Sequence, residues 1–170
     1  MSATFPGFST KDAKTARHDF TCELTAPDLL VPNLQAGTKI GAIKELVDLL
    51  HRKGVVKDSL SFLQAVLERE ALNSTILDDV ALPHARTPAV NQMGMALGVA
   101  RHPIDFPSGD ERGSVQLLCL IAVPAHESDL YLTLLSTLAR SFNDNDFKTA
   151  LLNSSSSQDL YYLLSSSSIS

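Results

Sequence analysis

The stretch Val115-Gln-Leu-Leu-Cys-Leu-Ile-Ala-Val123 is apolar at all but one position and is followed directly by Pro124. A strand that faces the core on one side alternates apolar and polar residues, whereas a strand covered on both sides is apolar nearly throughout. Proline has no N–H to donate to a ladder, so it ends the pattern. The stretch therefore predicts a central strand with a layer of structure packed on each face.

Two amphipathic helices are predicted before this strand. The first follows Thr38, an acceptable N-cap, and stops at Gly54. The second begins after Asp58 and Ser59, whose oxygens can accept bonds from first-turn N–H groups, and runs to about Leu72. Their apolar residues recur at helical spacing: Ile40, Ile43, Leu46 or Val47, and Leu50 in the first helix, and Leu60, Leu63, Val66 and Leu67 in the second.

Shorter apolar segments complete the pattern. Val80–His84 and Met93–Ala100 are predicted strands. After the central strand, Ser128 and Asp129 offer caps to a third helix, and residues 143–145 are predicted to form a turn behind it. The apolar face of that helix comprises Leu130 or Tyr131, Leu134 or Leu135, Leu138 and Phe142.

Helices that alternate with buried strands predict an α/β fold, with one mostly buried sheet and helices on both of its faces. A chain of 170 residues, of which 44% are hydrophobic, can fill one core, so a single domain is expected. Residues 1–22 lack periodicity and are predicted to be a loose arm. Residues 23–164 form the predicted domain, which ends in a docked helix, and the serine-rich residues 165–170 are predicted to fray.

Composition excludes several classes of function. Because 14 Lys and Arg residues face 19 Asp and Glu residues, the net charge of -5 disfavours nucleic acid and anionic membranes as partners. Cys22 and Cys119 are isolated and lack the Cys-x-x-Cys spacing of a zinc or redox site. There is no signal-peptide pattern and no apolar run of about 20 residues. A soluble, cytoplasmic protein is expected.

His84 has the most suggestive setting of the five histidines. It follows a predicted buried strand and Pro83, so its imidazole is expected at a strand-to-loop transition, where reactive groups of open α/β sheets commonly lie. On spacing alone, a half-exposed loop histidine is the simpler interpretation.

The residues around His84 carry a family resemblance. Arg69-Glu70, Ser74-Thr75 and Val80-Ala-Leu-Pro-His-Ala85 together resemble the active-site signature of the enzyme IIA proteins of the bacterial phosphotransferase system, of the fructose, mannitol and nitrogen-regulatory class. The resemblance covers most of residues 23–164 and implies that family's mixed sheet. It also implies a phosphocarrier that accepts a phosphoryl group on His84 from the histidine phosphocarrier HPr or a paralogue.

The resemblance further implies how the site is built. Arg69 matches the family's arginine, whose planar fork of donors suits phosphate oxygens, and Thr75 and Ser74 add hydroxyl donors. On spacing alone, Arg69 is equally well a surface helix residue. Because the donor protein already carries an activated phosphoryl group, no ATP, metal or other cofactor is expected.

The sequence departs from the family pattern in two places. The family commonly has glycines before the Pro-His motif, but Thr75 to Val80 contains none, and Asp78 and Asp79 are expected in a solvated turn instead. The family's second active-site histidine corresponds to Tyr131, which is neutral at pH 7.

His126 is a candidate to replace the missing histidine; the alternative is that it is an exposed loop residue at a helix entrance. Metal binding by His84, His102 and His126 is disfavoured because no pair has a typical zinc-ligand spacing. Among the remaining histidines, His51 is expected to end a helix, and His102 to lie in a polar loop. His18 falls in the predicted arm.

Three functions remain open at this point. The altered site and the lack of a fused IIB or IIC domain favour a nitrogen-regulatory phosphocarrier, whose phosphorylation controls a transporter or kinase. The alternative is a sugar-specific IIA component that passes phosphate to a IIB domain, and would be a phosphotransferase if active. A further alternative is a regulatory binding module that does not transfer phosphate.

Overall fold

The computed structural model describes residues 23–166, so the predicted arm and the end of the predicted tail lie outside the described residues. A 3-10 turn at Pro27–Leu29 leads into the first strand. The elements that follow are β1 (Leu30–Val31), α1 (Lys39–Arg52), α2 (Ser59–Leu72), β2 (Ile76–Leu77), β3 (Val80–Ala81), β4 (His84–Thr87), β5 (Gly94–Asp105), β6 (Ser114–Pro124), α3 (Leu130–Phe142), α4 (Asn145–Leu152) and α5 (Ser157–Ser165).

The strands form one mixed sheet around β6. Its order is β1-β5-β6-β3-β2, with β4 also paired to β6. The β5–β6 and β2–β3 pairs are antiparallel, whereas β1 runs parallel to β5, and β3 and β4 both run parallel to β6. The predicted central strand is thus confirmed, hydrogen-bonded along both edges.

The sheet is covered on both faces, as expected from the unbroken apolar character of β6. From Leu117 to Val123, alternate residues of β6 enter two separate cores: Leu118, Leu120 and Ala122 face one, and Leu117, Cys119, Ile121 and Val123 face the other. Val115 also joins the first core, because the register of the β5–β6 pair shifts between Val115 and Leu117. The first core is closed by α1 and α2, and the second by α3, α4 and α5. The predicted α/β fold with helices on both faces is confirmed.

Both predicted helices before the sheet are present with the predicted caps. The side chain of Thr38 accepts a bond from the N–H of Gly41, and that of Asp58 accepts one from the N–H of Ser61. The predicted apolar face of α2 is partly wrong, however. Leu60 is 65% exposed, and the residues that α2 buries fully are Phe62, Val66 and Glu70. Periodicity missed this face because a buried carboxylate belongs to it.

The chain after β4 differs from expectation in two ways. Strand β5 continues to Asp105 through a register shift between Val99 and Ile104, so His102 lies in a strand and not in a loop. The predicted turn at residues 143–145 is brief, because Asp144 accepts bonds from the N–H groups of Asp146 and Phe147 and starts α4. Among the described residues, no helix is long and apolar enough to cross a membrane.

Pro83 interrupts the sheet where the sequence predicted a strand end. Val80 lies opposite Leu117 and His84 lies opposite Ile121, so β3 and β4 run along β6 in one register with a short break between them. Pro83 cannot donate a bond, but its carbonyl accepts one from the N–H of Ile121. The strand-to-loop placement of His84 was therefore wrong: His84 opens a new strand.

The turn between β2 and β3 holds Asp78 at φ +58°, and among the described residues it is the only one other than glycine with a positive φ. This is where the sequence lacks the expected glycines. Aspartate tolerates the left-handed region better than most residues do. Its neighbour Asp79 lies 2.8 Å from Lys148 Nζ on α4, which ties the turn to the second helical layer.

Asp78→Ala is expected to lower the free energy of unfolding by about 1 kcal/mol, because alanine meets the left-handed steric cost without aspartate's local hydrogen bonding. Asp78→Gly should match or exceed the wild type. Urea denaturation provides the measurement. Asp110 is an exposed loop residue without positive φ and serves as the control. There the order should reverse, with glycine the less stable variant. The same order at both positions would contradict strain at Asp78.

Candidate functional site

His84 stands at the edge of the sheet with one ring nitrogen already engaged. Its Nδ1 lies 2.9 Å from the carbonyl oxygen of Leu82. Because a carbonyl oxygen only accepts, Nδ1 carries the proton and donates it to this bond. Nε2, on the other side of the half-buried ring, then holds a lone pair. The local break at Pro83 makes this bond possible, because the Leu82 carbonyl lies between two strands.

The surroundings keep the His84 ring neutral. Burial lowers the pKa of His84 below its ordinary value of 6.5, and the positive charge of Arg69 lowers it further. The hydrogen bond to Leu82 and the negative charge of Glu70 act in the opposite direction without reversing the shift. An imidazole of lowered pKa is unprotonated at neutral pH, so Nε2 is available as a nucleophile.

Tyr131 lies beside His84 on the α3 side of the sheet, and Arg86 lies beside Tyr131. The Tyr131 ring centroid is 6.4 Å from that of His84, with the planes tilted by 48°. The Arg86 guanidinium carbon lies 5.2 Å from the same tyrosine ring, a cation–π distance. Arg86 follows His84 by two residues in β4, so both side chains leave the same face of the strand. Arg86 is not among the site residues predicted from the sequence. The strand period of 2, which places residues 84 and 86 on one face, is the signal that identifies it.

The start of α3 also differs from expectation. Asp129 occupies the N-cap position, but its side chain caps no N–H group. Its Oδ1 instead lies 3.5 Å from Arg86 Nη1, and the same nitrogen donates to the carbonyl oxygen of Glu127 at 3.0 Å. Arg86 therefore tethers the segment that leads from β6 into α3.

The other predicted site residues lie at the end of α2 and just beyond it. Arg69 Nη1 donates to the carbonyl oxygen of Asn73 at 3.1 Å, which leaves its other N–H groups for further partners. The Thr75 hydroxyl donates its proton to Glu70 Oε2, so it cannot donate to a phosphate while that bond persists. Ser74 Oγ accepts a bond from the N–H of Ile76 and keeps its own proton for donation.

Glu70 is a buried carboxylate that periodicity did not reveal. It is only 1% exposed, and Lys39 Nζ lies 3.5 Å from its Oε1. The Ser108 hydroxyl donates to the Glu70 carbonyl oxygen at 2.6 Å. Lys39 also donates to the Pro107 carbonyl oxygen and lies 4.8 Å from the Phe106 ring centroid. These contacts join α1, α2 and the β5–β6 hairpin directly below the end of α2.

The structure does not bring His126 into contact with His84. It lies exposed in the turn after β6, and the structure shows no hydrogen bond or ring contact between it and His84. His51 Nδ1 lies 2.9 Å from the Val56 carbonyl oxygen, near the end of α1. Within residues 23–166, no three His, Cys, Asp or Glu residues are grouped closely enough to hold a metal ion.

Two grooves are open on the described surface. One, of about 390 Å³, lies between the β2–β3 turn and α3, and the other, of about 340 Å³, lies under the β5–β6 hairpin. His84 lines neither of them.

This chain matches a known protein family and has relatives in it. The family model described as phosphoenolpyruvate-dependent sugar phosphotransferase system, EIIA 2, matches residues 23–167. The fructose-specific EIIA component of Haloferax volcanii is 34% identical over 142 residues, which is 83% of this chain and 92% of that protein.

Solved structures agree on the fold. The nitrogen regulatory protein IIA-Ntr of Neisseria meningitidis superposes with a TM-score of 0.76 at 27% identity, over 85% of this chain and 99% of that one. The Escherichia coli mannitol enzyme IIA, solved in complex with phosphorylated enzyme IIB, superposes with a TM-score of 0.70 at 23% identity. That match covers 83% of this chain and 98% of the other.

The Cε1–H resonance of His84 is expected to titrate with a midpoint below 6.5 in proton NMR. In the unfolded chain the ring binds a proton more readily, so His84 lowers the stability of the fold as the pH falls below 6.5. Arg69→Gln removes a positive charge and should move the midpoint upward, though burial keeps it from returning fully. A wild-type midpoint at or above 6.5 would contradict this description of the site.

Proposed function

This chain belongs to the EIIA 2 family of the phosphoenolpyruvate-dependent sugar phosphotransferase system, and from that premise we propose that His84 is its phosphoryl acceptor. A protein of this family is a phosphocarrier of the EIIA type. The observation that supports His84 is the bond from its Nδ1 to the Leu82 carbonyl oxygen, because that bond fixes the tautomer in which Nε2 keeps its lone pair.

The transfer requires no net proton movement. The Nε2 lone pair forms a new N–P bond in line with the donor's N–P bond as the latter breaks. A donor imidazole protonated on its other nitrogen leaves as a neutral ring with the electron pair of the broken bond. Nδ1 of His84 keeps its proton throughout, and the Leu82 carbonyl stabilises the positive charge that the phosphorylated ring acquires.

Side chains from the α2 side and from the α3 side of the sheet would bind the transferred phosphoryl group. We assign Arg69 the role of a cationic donor, with the Ser74 hydroxyl beside it and the Tyr131 hydroxyl on the opposite side. Thr75 acts differently from the other hydroxyls, because its proton is committed to Glu70, so its role is to hold the backbone after α2. His126 is not needed for this arrangement.

The phosphoryl donor proposed is the histidine phosphocarrier HPr or a paralogue. The family to which the chain belongs, the phosphoenolpyruvate-dependent sugar phosphotransferase system, supports a donor from that system. For the onward step we propose a nitrogen-regulatory role, in which phosphorylation changes the affinity for a transporter or kinase. The solved IIA-Ntr of Neisseria meningitidis, which shares the fold along 85% of this chain, supports that assignment.

A sugar-specific role is the second candidate. It is favoured by the 34% identity to the fructose-specific EIIA component of Haloferax volcanii. In that role the phosphoryl group would pass from His84 to a IIB domain, the type of partner with which the mannitol enzyme IIA was solved.

Wild-type protein incubated with phosphoenolpyruvate, enzyme I and HPr is expected to gain one phosphoryl group, and His84→Ala is expected to gain none. Intact-mass spectrometry at mildly alkaline pH measures this, because phosphohistidine is labile in acid. His102→Ala and His126→Ala are matched controls, since both residues are exposed histidines outside the site. Labelling of His84→Ala at the wild-type level would remove His84 from the mechanism.

The onward step is tested with the phosphorylated protein itself. If the role is regulatory, the phosphoryl group should remain on the protein in the presence of a fructose-type IIB domain, while the affinity of the protein for a candidate transporter or kinase changes on phosphorylation. Rapid loss of the label to the IIB cysteine would establish the sugar-specific role instead. The His84→Ala protein shows which affinity changes require the phosphoryl group.

A further inference from the structure

We propose that Arg86 binds the phosphoryl group carried by His84, exchanging its contacts with the α3 entrance for contacts with phosphate oxygens. This inference rests on the proposed function, because it presupposes phosphate on His84. It adds to the site a cation that neither the motif nor the family resemblance assigned.

Arg86 follows His84 closely along β4. His84 and Arg86 leave the same face of β4, and their Cα atoms are about 6.6 Å apart at the usual strand rise. Both flank one ring: Tyr131 lies 6.4 Å from the His84 ring and 5.2 Å from the Arg86 guanidinium carbon. The Nδ1 bond points back toward Leu82, so Nε2 lies on the side of the ring away from it. Along the strand, Arg86 follows on that side.

A phosphoryl group on His84 needs positive charge around it. A phosphoryl group adds about -1.5 to -2 charges next to a carboxylate, Glu70, that already acts on His84. Arg69 approaches from α2, with one nitrogen held by its own helix end. On the α3 side, Arg86 is the cation that lies against the Tyr131 ring, whose hydroxyl can donate a hydrogen bond but brings no positive charge. An arginine fork suits this role because it can donate two parallel bonds to phosphate oxygens.

The present contacts of Arg86 are exchangeable. The Asp129 side chain is 79% exposed and that of Arg86 is 40% exposed, and their ion pair is 3.5 Å long. Exposed pairs of this kind contribute little, so a nearby dianion competes with them easily. The bond to the Glu127 carbonyl uses only one nitrogen of the guanidinium. The Tyr131 ring also contacts the guanidinium, whose carbon lies 5.2 Å from the ring centroid.

The experiment compares phosphoryl acceptance by the wild type, Arg86→Gln and Arg86→Lys, with Arg101→Gln as the charge-matched control. Arg101 is an exposed arginine of β5 and bonds the Ser154 carbonyl, away from His84. Two donors are used: phosphorylated HPr, and phosphoramidate, a small compound that needs no protein interface. The readouts are the labelling rate and the 31P titration of the phosphohistidine.

With both donors, Arg86→Gln is expected to slow labelling by about 100-fold, the lower end of the usual effect of removing a donor to developing charge. Its 31P midpoint should rise, because a cation that favours the dianion has been lost. Arg86→Lys should recover part of the rate, since it keeps the charge but not the fork, and Arg101→Gln should behave as wild type.

Two results would overturn the proposal. One is equal rates and equal 31P midpoints in the wild type and Arg86→Gln. The other is a defect seen only with phosphorylated HPr, which would make Arg86 a docking contact for the donor protein. Failure of the proposed function looks different: the wild type would accept phosphate from phosphoramidate and not from HPr, and the Arg86 comparison would still be decided with phosphoramidate.

Discussion

The burial of β6 on both faces is the constraint on which the other parts of the structure depend. Its side chains enter two cores alternately, and its backbone pairs with β5 along one edge and with β3 and β4 along the other. Burial of apolar surface on this scale stabilises the fold, while the two ladders satisfy the polar backbone. Even Cys119 serves this purpose: burial raises the pKa of its thiol to about 12, so it acts as an inert apolar residue.

The position of His84 follows from that strand. Because β3 and β4 share one register along β6, the break at Pro83 leaves the Leu82 carbonyl free to accept the imidazole proton. The ring is then held at the sheet edge between the end of α2 and the start of α3. The nitrogen proposed to accept the phosphoryl group is thus oriented by the main chain, which is more rigid than a side-chain partner.

Charge around the ring is arranged asymmetrically. On the α2 side, Arg69 is accompanied by the buried Glu70, whose contacts to Lys39 and Thr75 keep it in place. On the α3 side, a neutral tyrosine stands beside an arginine that is only loosely held by exposed groups. The contacts on the α2 side are buried and hold their residues in place, whereas the exposed contacts of Arg86 on the α3 side can be exchanged for others. A site of this kind can accept a dianion without rebuilding its core.

The sequence by itself determined the layers of this protein. Runs of apolar residues gave β6 and its two covered faces, and helical spacing with Thr38 and Asp58 gave α1 and α2, because these patterns depend only on local periodicity. Motif resemblance also singled out His84. The sequence did not show that Pro83 interrupts a strand without ending it, or that Glu70 is buried. Those outcomes depend on partners such as Ile121 and Lys39, which are distant in the chain. Only the tertiary structure brought Arg86 and Tyr131 together beside the imidazole, because strand pairing and helix packing fix that approach.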